Sequence, residues 1–558
     1  MTLRTNSTPI SLYLEGFRTI EEFTEIEFKD LTLLFGPNSA GKSSIYHGLN
    51  LANKLFDHPE DLNRWTPSTD YHRSNYGIDH QPMARLVNPD IYNNWRRTGV
   101  TDTIDDFNQT MLIGVKLNRF ARKDMTCTLI AKFHSISEAD SGSDVRYSCK
   151  RDFELMVNDT TLFKFLESEC FYFNYNHPYI KEQHKEMEYI CSDISNSLDE
   201  KNIYLDGSHL VFKNRSYNMF INGLKLVNYD AFIMKDFDFD SKTESALTKE
   251  GQKAMKHIVS FYNKTIQENV PNLHSIELIP ASRTVPTNSD MTIYLSPGIG
   301  NSEFEERNSE RVLLYEKQTH KNWNYFQLAQ SFVQQLPRYS PYPIDSVEDL
   351  LFMEVNKSLA NEMFKERGYQ LHANYSINIP YSEFEDIVKN DSEPYLDDFG
   401  VTVRILLKDS NGVILDFEDV GSGIGFVLPV LIAIHFPEDS FIQQPELHLH
   451  PTLQSSLADV FAGVLARNEY SERPLRIIET HSEHLLLRFL KRIRQTYRDN
   501  NINTDIKLFN KDIAVYYFDV NADSSTSVKH IRVSKSGEFM DPWPKGFFEE
   551  RYEELFDE

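Results

Sequence analysis

The sequence predicts an α/β protein that combines a phosphate-binding head, a β lobe and a large inserted α+β region. Three observations lead to this prediction. A glycine loop stands between the strand-like run 31–35 and an amphipathic stretch. A second glycine-rich segment, 421–425, precedes an apolar run and is followed by carboxylate-bearing segments. Between them, residues 52–270 mix polar loops with aromatic strands such as 170–175, and we interpret this region as an insertion within one head.

These patterns divide the chain into four parts. Residues 1–51 form the N-terminal half of the head, 52–270 the inserted β lobe with a helical arm, 271–520 the C-terminal half, and 521–558 a strand-turn (WPKGFF) with an acidic tail. Strands are expected at 11–17, 25–28, 31–35, 370–379 and 401–407, and helices at 323–336 and 426–436. The expected sheet is mixed or parallel, with the helix that follows the glycine loop packed beside it.

Charge and composition exclude several classes of protein. The chain has 558 residues and a formal net charge of −25, from 58 Lys and Arg against 83 Asp and Glu. This acidity argues against a protein that coats DNA by itself, because such binding requires Lys and Arg to neutralise phosphates. The four cysteines form no Cys-x-x-Cys pair, which argues against a zinc site. The longest apolar run, 426–436, is too short to span a bilayer, so we expect a cytoplasmic protein without membrane contact.

The most specific motif is the glycine loop GPNSAGKS, which matches G-x-x-x-x-G-K-[ST]. Its glycines allow backbone N–H groups to face a phosphate, and the following helix adds its positive N-terminal end. Lys42 is expected to reach the β- and γ-phosphates, and the Ser43 hydroxyl to ligate Mg²⁺. The motif therefore predicts a nucleoside triphosphate site, with contacts from Gly36, Asn38, Gly41, Lys42, Ser43 and Ser44.

The second glycine segment, Gly-Ser-Gly-Ile-Gly at 421–425, is far from the first in sequence. We interpret it as an anion-binding edge, formed by Gly421, Ser422 and Gly423, that contacts the γ-phosphate held by another subunit. The alternative is a glycine turn that permits close helix packing.

Two strand ends further along the chain carry candidate catalytic side chains. An apolar run ends at Gln443 and is followed by Glu446, the layout of a Walker B segment, in which Glu446 orients or deprotonates the attacking water. The next strand-like run ends just before His481, which is expected to sense the γ-phosphate. The nearby His448 and His450 lack a matching third ligand, so they do not predict a metal site.

In this order, the four elements resemble the ABC-type ATPase head shared by SMC and RecF-like proteins. The chain is most similar to ATPases of the overcoming-lysogenization-defect (OLD) type and, within that group, to the anti-phage Septu (PtuA) ATPases, including those attached to retrons. Four segments carry the finer resemblance: 279–283 (IPASR), 445–451 (PELHLHP), 479–488 (ETHSEHLLLR) and 537–548 (GEFMDPWPKGFF).

The resemblance implies roles for single residues and a cofactor, MgATP. Glu446 is the catalytic carboxylate, His481 the switch histidine, and 421–425 the signature loop acting across a homodimer or a higher homo-oligomer. Arg18 is expected to flank the nucleotide, and Gln443 to occupy the position that supports Mg²⁺. A glutamine-loop residue should also exist, and Gln81 and Gln109 both remain open for that role.

Two departures from the family pattern bear on the rate of hydrolysis. Relatives place an acidic residue where Gln443 stands, and a neutral amide is a poorer ligand for a hard cation. They also place a Ser-Gln pair where this chain has Gly425 and Phe426. We therefore expect tight ATP binding with slow or conditional hydrolysis.

The resemblance also suggests what the ATP is used for. An OLD-type enzyme carries a Toprim nuclease after the ATPase, but few residues follow His481, and a domain of that kind needs on the order of 100 residues. We expect no intrinsic nuclease and a separate subunit of the HNH type, similar to PtuB. If the chain belongs to a retron, a reverse transcriptase and its RNA/DNA product join as partners.

Two other classes of function stay open. One is a RecF- or SMC-like ATPase that acts directly on DNA, and the other is a scaffold stabilised by ATP that never turns over. Direct DNA binding needs a positive surface, for which the sequence offers the helix expected after His481 and the cluster 119–123. The basic residues of that helix are Arg488, Lys491, Arg492, Arg494 and Arg498. The favoured explanation for them is a solvated face of a helix packed on the ATPase sheet.

Overall fold

The computed structural model describes most of the chain. The described residues are 6–56, 110–120, 124–139, 145–166, 170–185, 187, 203–206, 209–213, 219–222, 225–228, 249–273, 276–295, 323–334, 350–390, 399–467, 473–498 and 506–544. Several sequence predictions lie outside them: both glutamine-loop candidates, most of the basic cluster 119–123, and the acidic tail.

The strands and helices are numbered in chain order. The strands are β1 (Asn6–Ser7), β2 (Pro9–Glu15), β3 (Thr24–Glu27), β4 (Leu31–Phe35), β5 (Thr110–Leu117), β6 (Cys127–Ala139), β7 (Val145–Val157), β8 (Thr160–Leu166), β9 (Cys170–Asn174), β10 (Ile203–Asp206), β11 (His209–Lys213), β12 (Met219–Asn222), β13 (Lys225–Asn228), β14 (Asn272–Leu273), β15 (Glu277–Ile279), β16 (Thr292–Leu295), β17 (Gln370–Asn378), β18 (Gly400–Lys408), β19 (Ile414–Leu415), β20 (Ser440–Gln443), β21 (Arg476–Glu479), β22 (Ile513–Val520) and β23 (Thr526–His530). The helices are α1 (Ser44–Phe56), α2 (Pro178–Gln183), α3 (Lys249–Asn269), α4 (Trp323–Gln334), α5 (Leu351–Lys357), α6 (Tyr381–Asn390), α7 (Ser422–His435), α8 (Pro451–Arg467) and α9 (Glu483–Arg498).

The chain forms two compact units, each made of separate stretches of sequence. The first unit comprises Met1–Phe28, Gly36–Ile276 and Phe518–Lys529. The second comprises Lys29–Phe35, Glu277–Tyr517 and His530–Glu558. The chain passes from one unit to the other directly after β4, so the glycine loop belongs to the first unit and the strand that leads into it belongs to the second.

The first unit is built on a nine-stranded antiparallel sheet in the order β10-β11-β9-β8-β7-β6-β5-β2-β3. The N-terminal strand β2 pairs with β5, so the strands of the region predicted as an insertion extend the sheet that the N-terminal strands begin. The aromatic strand predicted at 170–175 is present as β9, with Phe171 and Phe173 fully buried. α3 packs there, since the buried Tyr262 ring lies edge-on 4.8 Å from the ring of Phe163.

The second unit contains β15, β20, β21, β4 and the first part of β22, which are strands of the sheet that the glycine loop predicts. Its strand order is β15-β20-β21-β4-β22-β23, and the first five of these strands run parallel to their neighbours. β4 and β21 are buried at every position, as expected for strands covered on both faces. One strand therefore separates β20 from β4. The α/β architecture predicted from the sequence, with a parallel sheet at its centre and a β lobe, is confirmed.

A smaller antiparallel sheet and six helices complete the described part of the second unit. The small sheet has the order β16-β18-β17, and β19 pairs with β18. A π-helical turn, Ser358–Met363, continues α5 directly. Apolar side chains from β4, α7, α8 and α9 join one hydrophobic core with those of the small sheet. No helix in the described ranges is both long and apolar enough to cross a membrane.

The element boundaries differ from the sequence predictions at two informative places. The strand expected at 11–17 ends at Glu15, because Gly16 adopts φ +60 and Phe17 forms an isolated bridge with Ile20. The helix expected from residue 426 begins at Ser422, because the second glycine segment itself forms the first helical turn. The helices and strands expected at 323–336, 370–379 and 401–407 are present within two residues of their predicted ends.

Candidate functional site

The glycine loop is closed around its own lysine. Lys42 is 3% exposed, and its Nζ donates hydrogen bonds to the carbonyl oxygens of Gly36 at 3.0 Å and Pro37 at 2.8 Å. These acceptors lie only five and six residues earlier in the chain. The ammonium group is therefore held inside the turn of the loop by main-chain oxygens, at the position where the motif requires a cation.

Two glycines give the loop its shape because no other residue fits at those positions. Gly36 has φ +139, and a Cβ there would lie 2.2 Å from the carbonyl oxygen of Phe518. Gly41 has φ +85, and a Cβ there would lie 2.4 Å from Thr19 Oγ1 and 2.8 Å from Thr526 Oγ1. Both the left-handed backbone and the close neighbours exclude a side chain.

Two threonines that sequence reasoning missed support the loop from behind. Thr526 donates from Oγ1 to the carbonyl oxygen of Ala40 at 3.0 Å and from its N–H to the carbonyl oxygen of Thr19 at 2.7 Å. Thr526 lies 486 residues from Ala40, so no local pattern could have indicated the contact. The glycine loop is therefore fixed by a strand from the far end of the chain.

The other predicted residues of this loop differ in exposure. Asn38 is exposed, Ser43 is half-buried and Ser44 is buried. The helical turn that leads into α1 begins inside the motif, since the N–H of Ser44 donates to the carbonyl oxygen of Gly41 at 2.9 Å. The motif residues thus stand at the N-terminal end of a 13-residue helix, where the backbone dipole favours anions.

Arg18 lies beside this helix. Burial lowers the pKa of Arg18, and both burial and the Arg18 charge lower the pKa of His47, which is on α1. Arg18 has φ +53 and is followed by Thr19, whose Oγ1 would lie 2.4 Å from a Cβ on Gly41. The structure therefore places Arg18 next to the elements that carry the glycine loop.

In the second unit, two polar residues end neighbouring parallel strands. Gln443 is the last residue of β20 and Glu479 the last of β21, and the two are paired in the strand register. Glu479 is also paired with Leu34, two residues before the glycine loop begins. The carboxyl ends of parallel strands are the usual place for ligand contacts in α/β sheets.

Gln443 holds a fixed orientation between two partners. Its Oε1 accepts a hydrogen bond from the N–H of Ala281 at 3.3 Å, and its Nε2 donates to Glu479 Oε2 at 3.1 Å. A backbone N–H requires an acceptor and a carboxylate requires a donor, so the two contacts define which end of the amide is which. Sequence reasoning missed Glu479, although it is the first letter of the ETHSEH segment.

Glu446 is held by the residues that follow β21. Its carboxylate accepts hydrogen bonds from the Thr480 hydroxyl at 2.8 Å and from the His481 N–H at 2.9 Å. Burial raises the pKa of Glu446, while these hydrogen bonds and the positive charge of Arg283 act in the opposite direction. The carboxylate therefore has one defined orientation and a proton affinity above that of an exposed glutamate, as a general base requires.

His481 follows β21 directly and is half-buried. The residue after it, Ser482, fixes the backbone: its Oγ accepts from the N–H of Leu485 at 3.0 Å and donates to Gln454 Oε1 at 2.6 Å. His481 therefore stands in a short connection that is fastened on both sides, by Glu446 and by the first turn of α9.

His448 and His450 are exposed. Among the residues that the structure describes, no group of three or more His, Cys, Asp or Glu side chains is arranged to hold a metal ion. Cys127 and Cys170 are buried, and neither forms a disulfide within the described residues.

The second glycine segment forms the exposed start of α7. Gly421 is the residue before the helix, and no side chain caps the helix start. A Cβ at Gly421 would meet nothing within 4 Å, and Ser422 is also exposed. Gly425 is different, because a Cβ there would lie 2.9 Å from Pro286 and 3.0 Å from Val285. The segment is thus solvent-exposed at Gly421 and closely packed at Gly425.

Most of the predicted basic face on α9 is occupied by internal contacts. Arg492 makes a bidentate contact with the Asp459 carboxylate, to which its Nε and Nη2 each donate a hydrogen bond of 2.7 Å. The guanidinium of Arg488 lies 3.7 Å from the same carboxylate. Arg494 donates to the carbonyl oxygen of Ser536 at 2.9 Å. Lys491 and Arg498 are exposed. Three of the five basic side chains of this helix thus contact neighbouring parts of the protein. Those are side chains that a DNA-binding surface would need exposed.

Comparison with protein families decides the class of this protein. The family described as AAA ATPase domain (AAA_15) matches residues 10–486, which include the glycine loop, the second glycine segment, Glu446 and His481. The chain belongs to this ATPase family. A second family, described as protein of unknown function (DUF3696), matches residues 508–557 of the ATPase. The predicted P-loop ATPase class is thereby confirmed, and an ATPase domain implies that the protein binds a nucleotide.

Other comparisons are more distant. No curated protein matches the ATPase in sequence. Among solved structures, it is similar to an Smc head bound to the C-winged helix domain of ScpA, at 10% identity and TM-score 0.38 over 95% of this chain and 99% of that one. It is also similar to an Smc head bound to the C-terminal domain of ScpA from Pyrococcus furiosus, at 11% identity and TM-score 0.34 over 94% of this chain and 96% of that one. A third similar structure is the SMC head domain from Thermotoga maritima, at 7% identity and TM-score 0.33 over 94% of this chain and 100% of that one.

Proposed function

We propose that the ATPase binds MgATP at the loop Gly36–Ser43 and hydrolyses it slowly unless a partner acts on it. The observation that carries this proposal is the closed loop around Lys42, whose ammonium is held by the carbonyl oxygens of Gly36 and Pro37. The triphosphate takes over as the counter-charge of Lys42 when it binds, and the backbone N–H groups of the loop and of the start of α1 bind its oxygens.

Mg²⁺ is assigned to the Ser43 hydroxyl and to the strand end that carries Gln443. When bound, the ion neutralises charge on the phosphates. Gln443 uses its amide oxygen for Ala281, but its amide nitrogen is 3.1 Å from Glu479. The Glu479 carboxylate therefore lies beside the Gln443 amide. A carboxylate is a better ligand for a hard cation than an amide. A neutral amide at position 443, where a carboxylate would be the better ligand for Mg²⁺, supports slow hydrolysis.

Glu446 is assigned as the general base and His481 as the γ-phosphate sensor. The raised pKa of Glu446 favours acceptance of a proton from water, and its two hydrogen bonds hold it in one orientation. Because one of those bonds comes from the His481 N–H, any shift of His481 is transmitted to the base.

Nucleotide-dependent dimerisation is proposed from the second glycine segment. Gly421 and Ser422 are exposed at the start of α7, so they are accessible to a phosphate held by a second copy. Two heads would then enclose two ATP molecules, each between the glycine loop of one copy and the 421–425 segment of the other.

The finer proposal is that the ATPase controls a separate nuclease in anti-phage defence of the Septu or retron type. The segments 279–283, 445–451, 479–488 and 537–548 support it by resemblance. The same resemblance assigns nuclease activity to another subunit, of the HNH type, with a reverse transcriptase and its product in the retron case.

Direct action on DNA is the less favoured function. It requires a free basic surface, and Arg488, Arg492 and Arg494 are already bound within the protein. The net charge of −25 instead favours a basic protein partner.

Reconstitution with an HNH nuclease tests the proposal. The purified chain should bind ATP, form dimers with it and hydrolyse it slowly, and the nuclease should bind the dimer at low salt and dissociate at high salt. Rapid ATP turnover by the isolated chain would contradict slow hydrolysis. A complex that is indifferent to salt, or tight binding of duplex DNA by the ATPase alone, would contradict the partner assignment.

A further inference from the structure

Arg283, in the IPASR segment after β15, connects three parts of the second unit through one guanidinium group. The side chain is 9% exposed. Nη1 donates to the carbonyl oxygens of Pro280 at 2.9 Å and Gln443 at 2.7 Å, and Nη2 donates to that of Gln444 at 2.8 Å. Nε donates to the carbonyl oxygen of Phe426 at 3.1 Å. One end of the planar fork thus holds the strand end of β20, and the other holds the first turns of α7.

A second contact joins the same two elements. The rings of Phe426 and His448 lie 4.2 Å apart, and a Cβ on Gly423 would lie 3.3 Å from the carbonyl oxygen of His448. Gly425 is packed against Val285 and Pro286, two and three residues after Arg283. These contacts give a structural role to the Gly425-Phe426 pair, at which the chain departs from its relatives.

The loop that Arg283 holds has an unusual backbone. Gln444 has φ +45 and His448 has φ +60, although neither is glycine. Such conformations persist only where the surroundings determine them from several sides. Gln444 meets this condition, because Arg283 binds its carbonyl oxygen and its own N–H donates to the carbonyl oxygen of Glu479 at 2.7 Å. Glu446 is two residues further along the same loop.

We propose that Arg283 is a positioning residue that couples the start of α7 to the loop bearing Glu446. This inference rests on the proposed function, and it deepens it by naming how the site is regulated. A nucleotide held by a second copy binds Gly421–Gly423 and displaces the first turn of α7. Arg283 and the Phe426–His448 contact transmit that displacement to the loop 443–448 and hence to the orientation of Glu446.

The chemistry of arginine suits this role. Burial lowers the pKa of Arg283 to about 10, so the group stays charged at neutral pH, and its charge also favours the ionised form of Glu446. Lysine would keep the charge but lose the fixed fork, so it cannot bind two elements at once with the same geometry. The substitution Arg283→Lys therefore separates positioning from charge.

Hydrogen–deuterium exchange and kinetics on the full chain test the coupling. In the parent, MgATP should slow exchange both at 421–426 and at 443–448. In Arg283→Lys, exchange at 421–426 should still slow, exchange at 443–448 should not, and kcat should fall on the order of 10²-fold while the Kd for ATP stays within about twofold. Arg467→Lys is the matched control, because Arg467 also forks to two partners, Glu354 and Glu362, and should leave kcat unchanged.

Two further outcomes keep the test decisive. If Arg283→Lys does not fold, His448→Asn, at an exposed position, removes the ring contact while keeping a residue type that tolerates φ +60, and it should lower kcat several-fold at unchanged ATP affinity. Parent-like kcat and exchange in both variants, or losses no larger than in Arg467→Lys, would overturn the coupling alone. A parent chain that binds no ATP would instead overturn the proposed function together with it.

Discussion

The glycine loop and the loop after β20 are the two candidate regions for phosphate chemistry, and different kinds of contact hold them. Lys42 is fastened by carbonyl oxygens five and six residues away. Glu446 is fastened by residues 34 and 35 positions away, and the carbonyl oxygen of Gln443 by Arg283, 160 positions away. A loop that closes on itself can be recognised from its letters, whereas a loop closed by distant residues requires the fold.

This comparison predicts that the two regions respond differently to substitution. Changes in the glycine loop should remove nucleotide binding or unfold the loop. Changes in the loop after β20 should leave binding intact and alter hydrolysis, metal response or pH dependence.

The largest expected effect is that of Glu446→Gln. An amide retains hydrogen-bonding groups for Thr480 and His481 but cannot act as a base, so kcat should fall by about 10²–10⁴-fold while the Kd for ATP is preserved. Steady-state hydrolysis and equilibrium ATP binding measure the two quantities. An unchanged kcat would reduce Glu446 to a residue that only anchors the loop.

The same variant carries a prediction for stability against pH. The pKa of Glu446 is raised in the folded protein, so its contribution to stability is fully present below the pKa of the unfolded chain and is lost as pH rises through the folded value. Glu446→Gln should therefore have a higher Tm than the parent at neutral pH, and the difference should vanish below about pH 4. A difference that grows on acidification would contradict the assigned direction of the shift.

Gly36→Ala tests the local character of the glycine loop. The substitution places a Cβ 2.2 Å from the carbonyl oxygen of Phe518 at φ +139, so we expect a loss of at least about 2 kcal/mol in the free energy of unfolding. Gly421→Ala is the matched control, because a Cβ there meets nothing within 4 Å, and it should cost less than about 1 kcal/mol. Equal losses in the two variants, measured by thermal or chemical unfolding, would contradict the geometry of the loop.

Gln443→Glu sharpens the metal assignment. It places a carboxylate against Glu479, so the Tm without Mg²⁺ should fall, and MgATP should raise it by more than it raises the parent's Tm. The double variant Gln443→Glu with Glu479→Gln restores one amide–carboxylate pair and should recover the Tm of the parent without Mg²⁺. If MgATP stabilises Gln443→Glu no more than the parent, this strand end does not face the ion.

The smallest expected effect concerns an exposed local ion pair. Hydrogen bonding to Arg532 lowers the pKa of Asp541 to about 2, so its stabilising contribution is present above the pKa of the unfolded carboxyl and is lost as pH falls through about 2. Asp541→Asn should therefore have a slightly lower Tm than the parent at pH 5. This difference in Tm should disappear below about pH 2. A variant that gains stability at pH 5 would contradict the pairing.

The sequence predicted the class of the protein because its decisive signals are local. The eight letters of the glycine loop and the buried run before it specify a strand, a turn and a helix, all of which are present. The strand end at Gln443 was also predictable, since an apolar pattern marks it directly, whereas α7 begins four residues before its predicted start.

Other parts of the candidate site could not be predicted because they depend on tertiary contacts. Thr526 supports Ala40 across 486 positions, and Glu479 meets Gln443 only because β20 and β21 are neighbours in register. Arg283 was visible as part of a family-like segment, but nothing local indicated which carbonyl oxygens it binds. The basic face on α9 was visible too, and only the structure assigns its charges to Asp459 and the 536–537 turn.

ATP binding by Lys42→Ala tests the central claim most directly. The parent and a control, Lys54→Ala, at the last turn of the same helix, should both bind MgATP in a calorimetric titration and dimerise with it. Lys42→Ala should bind at least about 10²-fold more weakly, because the loop loses the cation that faces the phosphates. If Lys42→Ala binds ATP and dimerises as well as the parent, the glycine loop is not the nucleotide site.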